Sequence, residues 1–307
     1  MVILINPNAC AGKASEKWNK IKRSLNKKIC SAEIITLNGA GSKSVVENCI
    51  NKGETEFVAA GGDGTINHLL NDIVSSATDQ LEYIKLGAIG LGSSNDFHKP
   101  FDKNNGVNGI HCKINFKNIE KQDLCRLSWE DENGLFKSRF FLLNSSIGIT
   151  AEANLLFNKP DRMLRFLKRK NTNTAIIYAA LKTIFTYKNR KVKICTGGAE
   201  KQVSVTNLGI VKSPHFSGNF CYDSSYEPGN GKYNVHLIEG MPLFRLLTIL
   251  YRLTKKRFSG YPGTSSCLTD KIAIKSNKTF AVEFDGEVIE TKKAVYSIIP
   301  RAVNICK

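Results

Sequence analysis

The sequence predicts a mixed fold in which an α/β domain with a mostly parallel sheet precedes a domain built as an antiparallel β-sandwich. Over residues 1–110, short apolar runs alternate with amphipathic helical stretches, which is the order of βαβ units. Over residues 111–297, short β-type runs are separated by polar turns, which is typical of a sandwich with inserted helices. Three polar, small-residue turns directly follow strands of the first domain, and this favours a ligand site at one edge of its sheet.

Each element is predicted from periodicity and length. In the first domain, strands are predicted at 2–6, 32–37, 57–60 and 86–89, and helices at 15–26, 43–52 and 66–75. In the second domain, β-type runs are predicted at 110–116, 121–129, 139–144, 191–196, 203–206, 232–238, 271–275, 280–284 and 294–299. Two helical stretches, 162–187 and 243–254, interrupt these runs.

Length and cysteine usage exclude several classes of protein. The 307 residues are enough for one large core or two modest ones. No stretch approaches the ~20 apolar residues of a membrane span, and the chain starts with a strand, so we expect neither a signal peptide nor an anchor. Nine cysteines are scattered without Cys-x-x-Cys spacing, which indicates reduced thiols in a cytoplasmic protein.

The net charge of +17 is unevenly distributed. Residues 159–193 hold eleven Lys or Arg and one acid, Asp161, and residues 245–257 hold five more without an acid. Such a surface attracts nucleic acid or an anionic membrane. Because the sequence lacks any nucleic-acid-binding signature, we expect the membrane and no nucleic acid. A solvated basic face is the alternative.

A glycine-rich turn at 61–65 is the centre of the predicted site. Its glycines let the backbone approach a ligand, and its N–H groups lead into a helix N-terminus that favours anions. A carboxylate in this turn repels phosphate unless a cation lies between them, so Asp63 indicates Mg²⁺, held directly or through water. An ordinary strand-to-helix turn with an Asp cap is the alternative. The candidate nucleotide ligands here are Gly61, Gly62, Asp63, Gly64, Thr65 and Asn67.

Two further turns follow predicted strands in the same way. The first follows the strand at 2–6 and offers Asn6, Pro7, Asn8 and Lys13. The second follows the strand at 86–89 and offers Gly92, Ser93, Ser94, Asn95 and Asp96. Because parallel strands bring their carboxyl ends to one edge, these turns are expected to converge on one phosphate-binding site.

These three motifs, together with Asp285-Gly286-Glu287 late in the chain, resemble the catalytic domain of diacylglycerol kinases. The family includes bacterial lipid kinases and the sphingosine and ceramide kinases. The resemblance implies a Rossmann-like nucleotide-binding domain, a β-rich domain, and an active site in the cleft between them. It also implies that residues 298–307 pack back on the first domain. A nucleotide-contacting Thr occurs near Thr36 in the family, although Thr36 reads equally well as an ordinary strand residue.

The resemblance also implies catalytic roles. Asp63 and the turn amides would hold ATP with Mg²⁺, and Glu287 would be the general base that accepts the proton of the lipid hydroxyl. Asp285 would orient Glu287 or bind metal-held water. Without the resemblance, Asp285-Gly286 reads as a tight hairpin turn, and a turn can also present a base.

Four positions depart from the family pattern. Thr150 replaces an Asp that engages the amine of the lipid head group in sphingosine kinases, which counts against an amino-alcohol lipid. Asn230 replaces an Asp through which bacterial relatives bind a structural Mg²⁺. A second metal site at Asn230 would therefore lack the carboxylate that binds the ion in those relatives. Cys10 and His68 stand where relatives usually carry Gly and Glu, and neither is assigned a role.

The sequence therefore predicts an ATP- and Mg²⁺-dependent lipid kinase that phosphorylates a neutral lipid, with diacylglycerol giving phosphatidic acid as the first candidate. It is expected to be cytoplasmic and peripherally bound to an anionic membrane through 159–193 and 245–257, with a homodimer left open. A soluble kinase of the NAD kinase or phosphofructokinase type is one alternative. A non-catalytic nucleotide- or lipid-binding homologue is the other.

Overall fold

The structure is a computed structural model that describes residues 1–29, 32–37, 42–77, 80–102 and 106–307. Cys30, one of the predicted reduced thiols, lies outside the described residues. The described chain has a mixed α/β fold with seven α-helices. None of these helices combines the length and the apolar character that crossing a bilayer requires. The mixed fold class predicted from the sequence is confirmed.

The first part of the chain alternates strands and helices, as predicted. Its elements are β1 (Val2–Ile5), α1 (Ala14–Lys28), β2 (Glu33–Thr36), α2 (Lys43–Asn51), β3 (Glu56–Gly61), α3 (Asp63–Ser76) and β4 (Lys85–Gly90). The strands pair in parallel in the order β2–β1–β3–β4. A short 3₁₀ turn, Asp96–His98, follows β4.

Helices cover both faces of this parallel sheet, and β1 shows why. Val2 and Leu4 belong to a core shared with α2 and α3, whereas Ile3 and Ile5 belong to a second core shared with α1. Successive side chains of a strand point to opposite faces, so a continuous apolar run such as Val2–Ile5 requires cover on both sides.

The second part of the chain is richer in strands. Its elements are β5 (Gly106–Val107), β6 (Ile110–Lys113), β7 (Ile119–Glu130), β8 (Phe136–Phe141), β9 (Asn144–Gly148), α4 (Ile149–Asn158), α5 (Arg162–Lys170), α6 (Thr172–Thr186), β10 (Arg190–Thr196), β11 (Ala199–Val211), β12 (His215–Phe216), β13 (Phe220–Cys221), β14 (Tyr233–Glu239), α7 (Leu243–Thr254), β15 (Thr264–Thr269), β16 (Lys271–Phe284) and β17 (Glu287–Cys306).

Most of these strands form one antiparallel network in the order β15–β14–β11–β10–β16–β17. β9 continues the line of β10 between β11 and β16, and β7 with β8 extends the other edge of β17. Strand pairing does not divide them into the two separate sheets that a sandwich would have. Instead, Phe141 lies against Tyr233 and Tyr296, with ring centroids 6.1 Å apart in each case. Strands that are distant in the pairing order thus share one core.

The twenty-residue strand β17 joins the two parts of the chain. Its first half contributes Ala294 and Tyr296 to the core of the antiparallel strands. Its last residues pair in parallel with β4, with Asn304 opposite Lys85, and bury Val303 in the core beneath α2 and α3. One strand therefore fixes the β-rich part against the parallel sheet.

Two helical details differ from the sequence prediction. Helix α4 was not predicted, because its ten residues directly follow a strand and offer too few turns for a helical period to stand out. The predicted single helix at 162–187 consists of α5 and α6, separated at Asn171. Asn171 is extended, with φ of −155°, which ends the first helix.

Candidate active site

The glycine-rich turns after β3 and β4 lie directly against each other. A Cβ atom built on Gly92 would lie 2.5 Å from the Cα atom of Gly62, so a side chain at position 92 cannot be accommodated. The backbone of the second turn therefore approaches the N-terminus of α3 closely. The sequence placed both turns at one edge, and the two glycines bring them into contact.

The turn after β1 joins the same edge through Asn6. The side-chain amide of Asn6 donates to Oγ1 of Thr65, 3.1 Å away, and its carbonyl oxygen accepts from the backbone N–H of Asn8 at 3.1 Å. These bonds link the end of β1 to the first turn of α3. Among the other predicted ligands, Asn8 is exposed and Thr36 is an exposed residue of β2 opposite Ile5.

Asp63 is the first residue of α3 and connects it to the 3₁₀ turn after β4. Its carboxylate accepts hydrogen bonds from the backbone N–H groups of Asp96 at 3.1 Å and Phe97 at 3.0 Å. Burial, and next the nearby Asp96 carboxylate, raise the pKa of Asp63 to about 6. Each carboxylate oxygen keeps one acceptor position after these bonds, which is enough for one cation or its bound water.

Other residues of the second turn make hydrogen bonds within the turn and to the turn after β1. Asn95 adopts the left-handed conformation, with φ of 50°, and its amide donates to the carbonyl oxygens of Gly90 at 3.2 Å and Gly92 at 3.3 Å. The hydroxyl of Ser93 donates to Sγ of Cys10, 3.4 Å away. Cys10 therefore lies beside the second turn.

A lysine that the sequence analysis did not select supports the second turn. The Lys17 ammonium donates to the carbonyl oxygens of Leu91 at 3.1 Å and Gly92 at 2.7 Å. Lys13, the predicted nucleotide ligand, is exposed. Lys13 and Lys17 lie one helical turn apart at the start of α1, and residues four apart lie on the same face of a helix. This spacing was the signal in the sequence that could have identified Lys17 as a second lysine near the turn.

Asp285 anchors a neighbouring segment of backbone. Its carboxylate accepts from the backbone N–H groups of Leu142 at 2.8 Å, Leu143 at 3.1 Å and Asn144 at 3.1 Å. Asn67 of α3 donates a further bond at 3.4 Å. Burial raises the pKa of Asp285 to about 6 against the effect of these donors. The geometry shows Asp285 and Asn67 bound to each other.

The Asp285-Gly286 turn packs over the first turn of α3. A Cβ atom built on Gly286 would lie 3.9 Å from the backbone nitrogen of Gly64. Beyond this turn, Oε1 of Glu287 lies 2.9 Å from Nε2 of His68, and both side chains are partly exposed. The hydrogen bond from His68 is the main cause that lowers the pKa of Glu287. The sequence analysis gave His68 no role.

A cavity of about 130 Å³ opens where these elements meet. Its walls come from the start of α3, the turn after β4, and strands β9, β11 and β16. Four predicted site residues line it: Asp63, Ser94, Asp96 and Asp285. Polar residues that were not assigned to the site complete the wall, including Ser146, Asn154, Asn207 and Glu283. Glu287 is not among the described residues of the lining.

Glu283 is the buried acid that the sequence analysis missed. Its Oε2 accepts from the hydroxyl of Ser146 and its Oε1 from the backbone N–H of Gly286, both at 2.9 Å. Burial is the main cause that raises its pKa to about 7. A lone acid in the apolar run of β16, two residues before Asp285, was the signal that could have revealed it.

The candidate second metal position at Asn230 is adjacent to a cation of the chain itself. The Lys212 ammonium lies 2.7 Å from Oδ1 of Asn230, 2.7 Å from Oδ2 of Asp123 and 2.8 Å from the carbonyl oxygen of Lys232. Lys212 and Asp123 are both buried. Within the described ranges, no three His, Cys, Asp or Glu side chains are grouped so that they could hold a metal ion.

Comparison with known proteins shows what this chain resembles. Residues 1–127 match the family model of the diacylglycerol kinase catalytic domain. This confirms the resemblance that the motifs indicated. A protein of Streptococcus pneumoniae serotype 4 named "Putative lipid kinase" is 20% identical over 306 residues, which covers 99% of this chain and 96% of that protein. A similarly named protein of Staphylococcus haemolyticus is 20% identical over 250 residues, 80% of this chain and 74% of the relative.

Two solved structures have a similar fold. A crystal structure described as a diacylglycerol kinase from Bacillus anthracis has a TM-score of 0.68 at 15% identity, covering 99% of this chain and 95% of that one. A second, described as a putative diacylglycerol kinase from the same organism, has a TM-score of 0.71 at 18% identity, covering 99% and 94%. At these identities the likeness concerns the fold.

Proposed function

We propose that this protein is an ATP-dependent lipid kinase that transfers the γ-phosphate to a hydroxyl of a neutral lipid, with diacylglycerol as the first candidate. The observation that carries the proposal is the approach of Gly286 to Gly64, where a Cβ atom built on Gly286 would lie 3.9 Å from the Gly64 nitrogen. It brings the turn that bears Glu287 onto the glycine-rich N-terminus of α3. A phosphate donor at that helix end and a proton acceptor beyond the turn would then flank one reacting centre.

The chain offers several groups for the nucleotide. N–H groups at the start of α3 would receive phosphate oxygens, because Gly62 and Gly64 carry no side chain that would block their approach. The Lys17 ammonium donates to the carbonyl oxygens of Leu91 and Gly92 and would thereby keep them from turning toward the phosphates. Asp63 retains acceptor positions that fit Mg²⁺ or its water, and bound Mg²⁺ would supply neutralisation of the phosphate charge.

Glu287 is the proposed general base. The lipid hydroxyl gives its proton to the Glu287 carboxylate while its oxygen forms a bond to the γ-phosphorus and the bond to the β-phosphate oxygen breaks, releasing ADP. His68 keeps Glu287 ionised through their 2.9 Å contact. Asp285 has a positioning role and does not itself react. Its carboxylate binds the backbone of the segment at 142–144, which contributes to one wall of the cavity.

We also propose that the enzyme works at an anionic membrane surface, on the cytoplasmic side. On α5, Phe166 is 52% exposed among five basic residues of that helix. On α6, Phe185 is 70% exposed, and on α7 Phe244 is 83% exposed. Exposed aromatic side chains beside lysines and arginines are typical of helices that bind the membrane interface. Leu246 and Ile249 of α7 are buried, so that helix also packs on the protein.

The proposal is tested by γ-phosphate transfer from labelled ATP to lipids in anionic mixed micelles. The panel contains diacylglycerol, monoacylglycerol, sphingosine, ceramide and undecaprenol, with and without Mg²⁺. We expect a labelled lipid whose formation requires Mg²⁺ and falls at least about 100-fold in Glu287→Ala. Transfer to a soluble acceptor such as NAD would favour the NAD kinase alternative. ATP binding without transfer to any acceptor would favour the non-catalytic homologue.

A further inference from the structure

Glu283 is directed into the cavity by the alternation of β16. Its neighbours Val282 and Phe284 belong to the apolar core of the antiparallel strands. Side chains of a strand alternate between its faces, so Glu283 points the other way, where it lines the cavity while only 5% exposed. A carboxylate in this position is costly to bury unless it is paired with a cation or hydrogen-bonded.

The carboxylate of Glu283 is only partly satisfied by the protein. Each of its oxygens accepts one hydrogen bond, from Ser146 and from the backbone of Gly286. A carboxylate has about four acceptor positions, so roughly two remain. None of the ion pairs among the described residues involves Glu283, and Asp96, which also lines the cavity, is paired with Lys99 at 2.7 Å.

Thr150 and Glu283 line the same cavity. The sequence argument against an amino-alcohol lipid rested on the missing carboxylate at position 150. In the folded chain, Thr150 lies on helix α4, and strand β16 brings the carboxylate of Glu283 to the wall of the same cavity. The absence of a carboxylate at position 150 therefore does not leave this part of the chain without an acid in the cavity.

We propose that Glu283, held by Ser146, determines acceptor specificity by binding a hydrogen-bond donor of the lipid head group, next to the hydroxyl that is phosphorylated. The inference rests on the proposed kinase function. The shared chemistry is an N–H or O–H donor, which can be the ammonium of a long-chain amino alcohol or the second hydroxyl of a monoacylglycerol. Diacylglycerol, whose only donor is the reacting hydroxyl, gains nothing from Glu283.

The test compares kcat/KM for 1,2-dioctanoylglycerol, 1-monooctanoylglycerol and sphingosine in wild type and Glu283→Gln. We expect the substitution to lower the ratio of a donor-bearing acceptor to dioctanoylglycerol at least about 10-fold. Glutamine keeps a neutral acceptor oxygen. The variant loses the negative charge, so sphingosine, whose donor is an ammonium, is expected to lose more than the monoacylglycerol, whose donor is a hydroxyl.

Two variants serve as controls. Glu239→Gln makes the same chemical change at the end of β14, where Glu239 pairs with Lys201 on the surface, and should leave all ratios unchanged. Ser146→Ala removes the hydroxyl that holds Glu283 and should move the ratio in the same direction as Glu283→Gln. Thermal unfolding of each variant separates lost selectivity from lost folding.

Unchanged ratios in Glu283→Gln overturn the inference and leave the kinase function standing. If wild type phosphorylates none of the three lipids, the proposed function fails instead. The inference is then judged by calorimetric binding of the same lipids. Tighter binding of a donor-bearing lipid that is lost in Glu283→Gln supports it, and equal binding of all three by both proteins overturns it.

Discussion

His68 of α3 and Glu287 at the start of β17 form an ion pair across the junction of the two parts of the chain, with Nε2 and Oε1 2.9 Å apart. The pair raises the pKa of His68 and lowers that of Glu287. Asp72 adds to the rise at His68, and Arg139 opposes it while assisting the drop at Glu287. A residue at which the sequence departs from its relatives thus contacts the proposed base.

Replacing His68 should change the pH dependence of catalysis. His68→Gln removes the main cause that lowers the pKa of Glu287, so the base would lose its charge at a higher pH. We expect the acid limb of the kcat/KM profile to move to higher pH, because a general base works only when deprotonated. His111→Gln, outside the cavity lining, is the control. An acid limb at the same pH in His68→Gln and wild type would remove Glu287 from the role of base.

Lys17 should matter for the nucleotide more than Lys13 does. Lys17→Met frees the carbonyl oxygens of Leu91 and Gly92 to turn toward the phosphates, since their ammonium donor is lost. Bonds from a charged donor contribute about 1.5–3 kcal/mol, so we expect nucleotide binding to weaken about 10-fold or more. Lys13→Met is the matched control, and titration calorimetry with ATP is the measurement. Equal loss in both variants would contradict the structural role of Lys17.

Glu283 should destabilise the folded protein at neutral pH. Its pKa is raised to about 7 in the folded state, where Asp285, Asp96 and Tyr296 are the ionisable groups that face it. An acid with a raised pKa binds more protons folded than unfolded, so its contribution to stability falls as pH rises from about 4.5 to 7.

The variant Glu283→Gln isolates this effect. We expect it to unfold like wild type near pH 5 and to be more stable by on the order of 2–4 kcal/mol at pH 8, measured by urea unfolding. Wild type alone is less informative, because burial lowers the pKa of His98 to about 3 and of His236 to about 4, which acts in the opposite direction. A difference that does not change with pH would show that Glu283 is not desolvated.

Lys212 should be essential for stability. Lys212→Met leaves the buried carboxylate of Asp123 with two backbone donors, the N–H groups of Gly231 at 2.8 Å and Arg301 at 2.9 Å, and no cation. Breaking a buried ion pair on one side costs about 3–5 kcal/mol. Lys201→Met, which breaks an exposed pair with Glu239, should cost less than about 1 kcal/mol.

Mg²⁺ addition then tests the second metal position at Asn230. If Mg²⁺ raises the unfolding temperature of Lys212→Met and leaves that of wild type unchanged, the ammonium takes the place of a metal ion. A rise in wild type alone would instead indicate a metal site separate from Lys212.

The exposed aromatic residues of α5 and α6 should contribute to membrane binding. Phe166→Ser with Phe185→Ser removes two half-exposed or exposed rings beside basic residues, and each lost ring costs about 1.5–3 kcal/mol of burial. We expect at least about a 10-fold drop in binding to vesicles that contain anionic lipid. Phe136→Ser on β8, where the ring is 71% exposed, is the matched control. An equal drop in all variants, or none, would contradict a membrane role for α5 and α6.

The alternating strands and helices of the first part were predictable because their signals are local. The apolar run Val2–Ile5 carries side chains for two cores, and that pattern is complete within four residues. The glycine turns at Gly62 and Gly92 were predictable for the same reason. Glycine directly after a strand indicates a tight turn in which the backbone can approach another group closely. The family match over residues 1–127 covers this locally readable part.

The rest was decided by contacts between distant residues. Asn67 and Asp285 lie 218 positions apart, and Glu283 meets Ser146 across 137 positions. Whether a buried acid faces a cavity or a core depends on strand register, because a shift of one residue reverses every side chain. The sequence by itself determined the parallel sheet, the glycine turns and their carboxylate. Only the tertiary structure selected Lys17, Glu283, Lys212 and the partner of Glu287, since each acquires its neighbours from a different element.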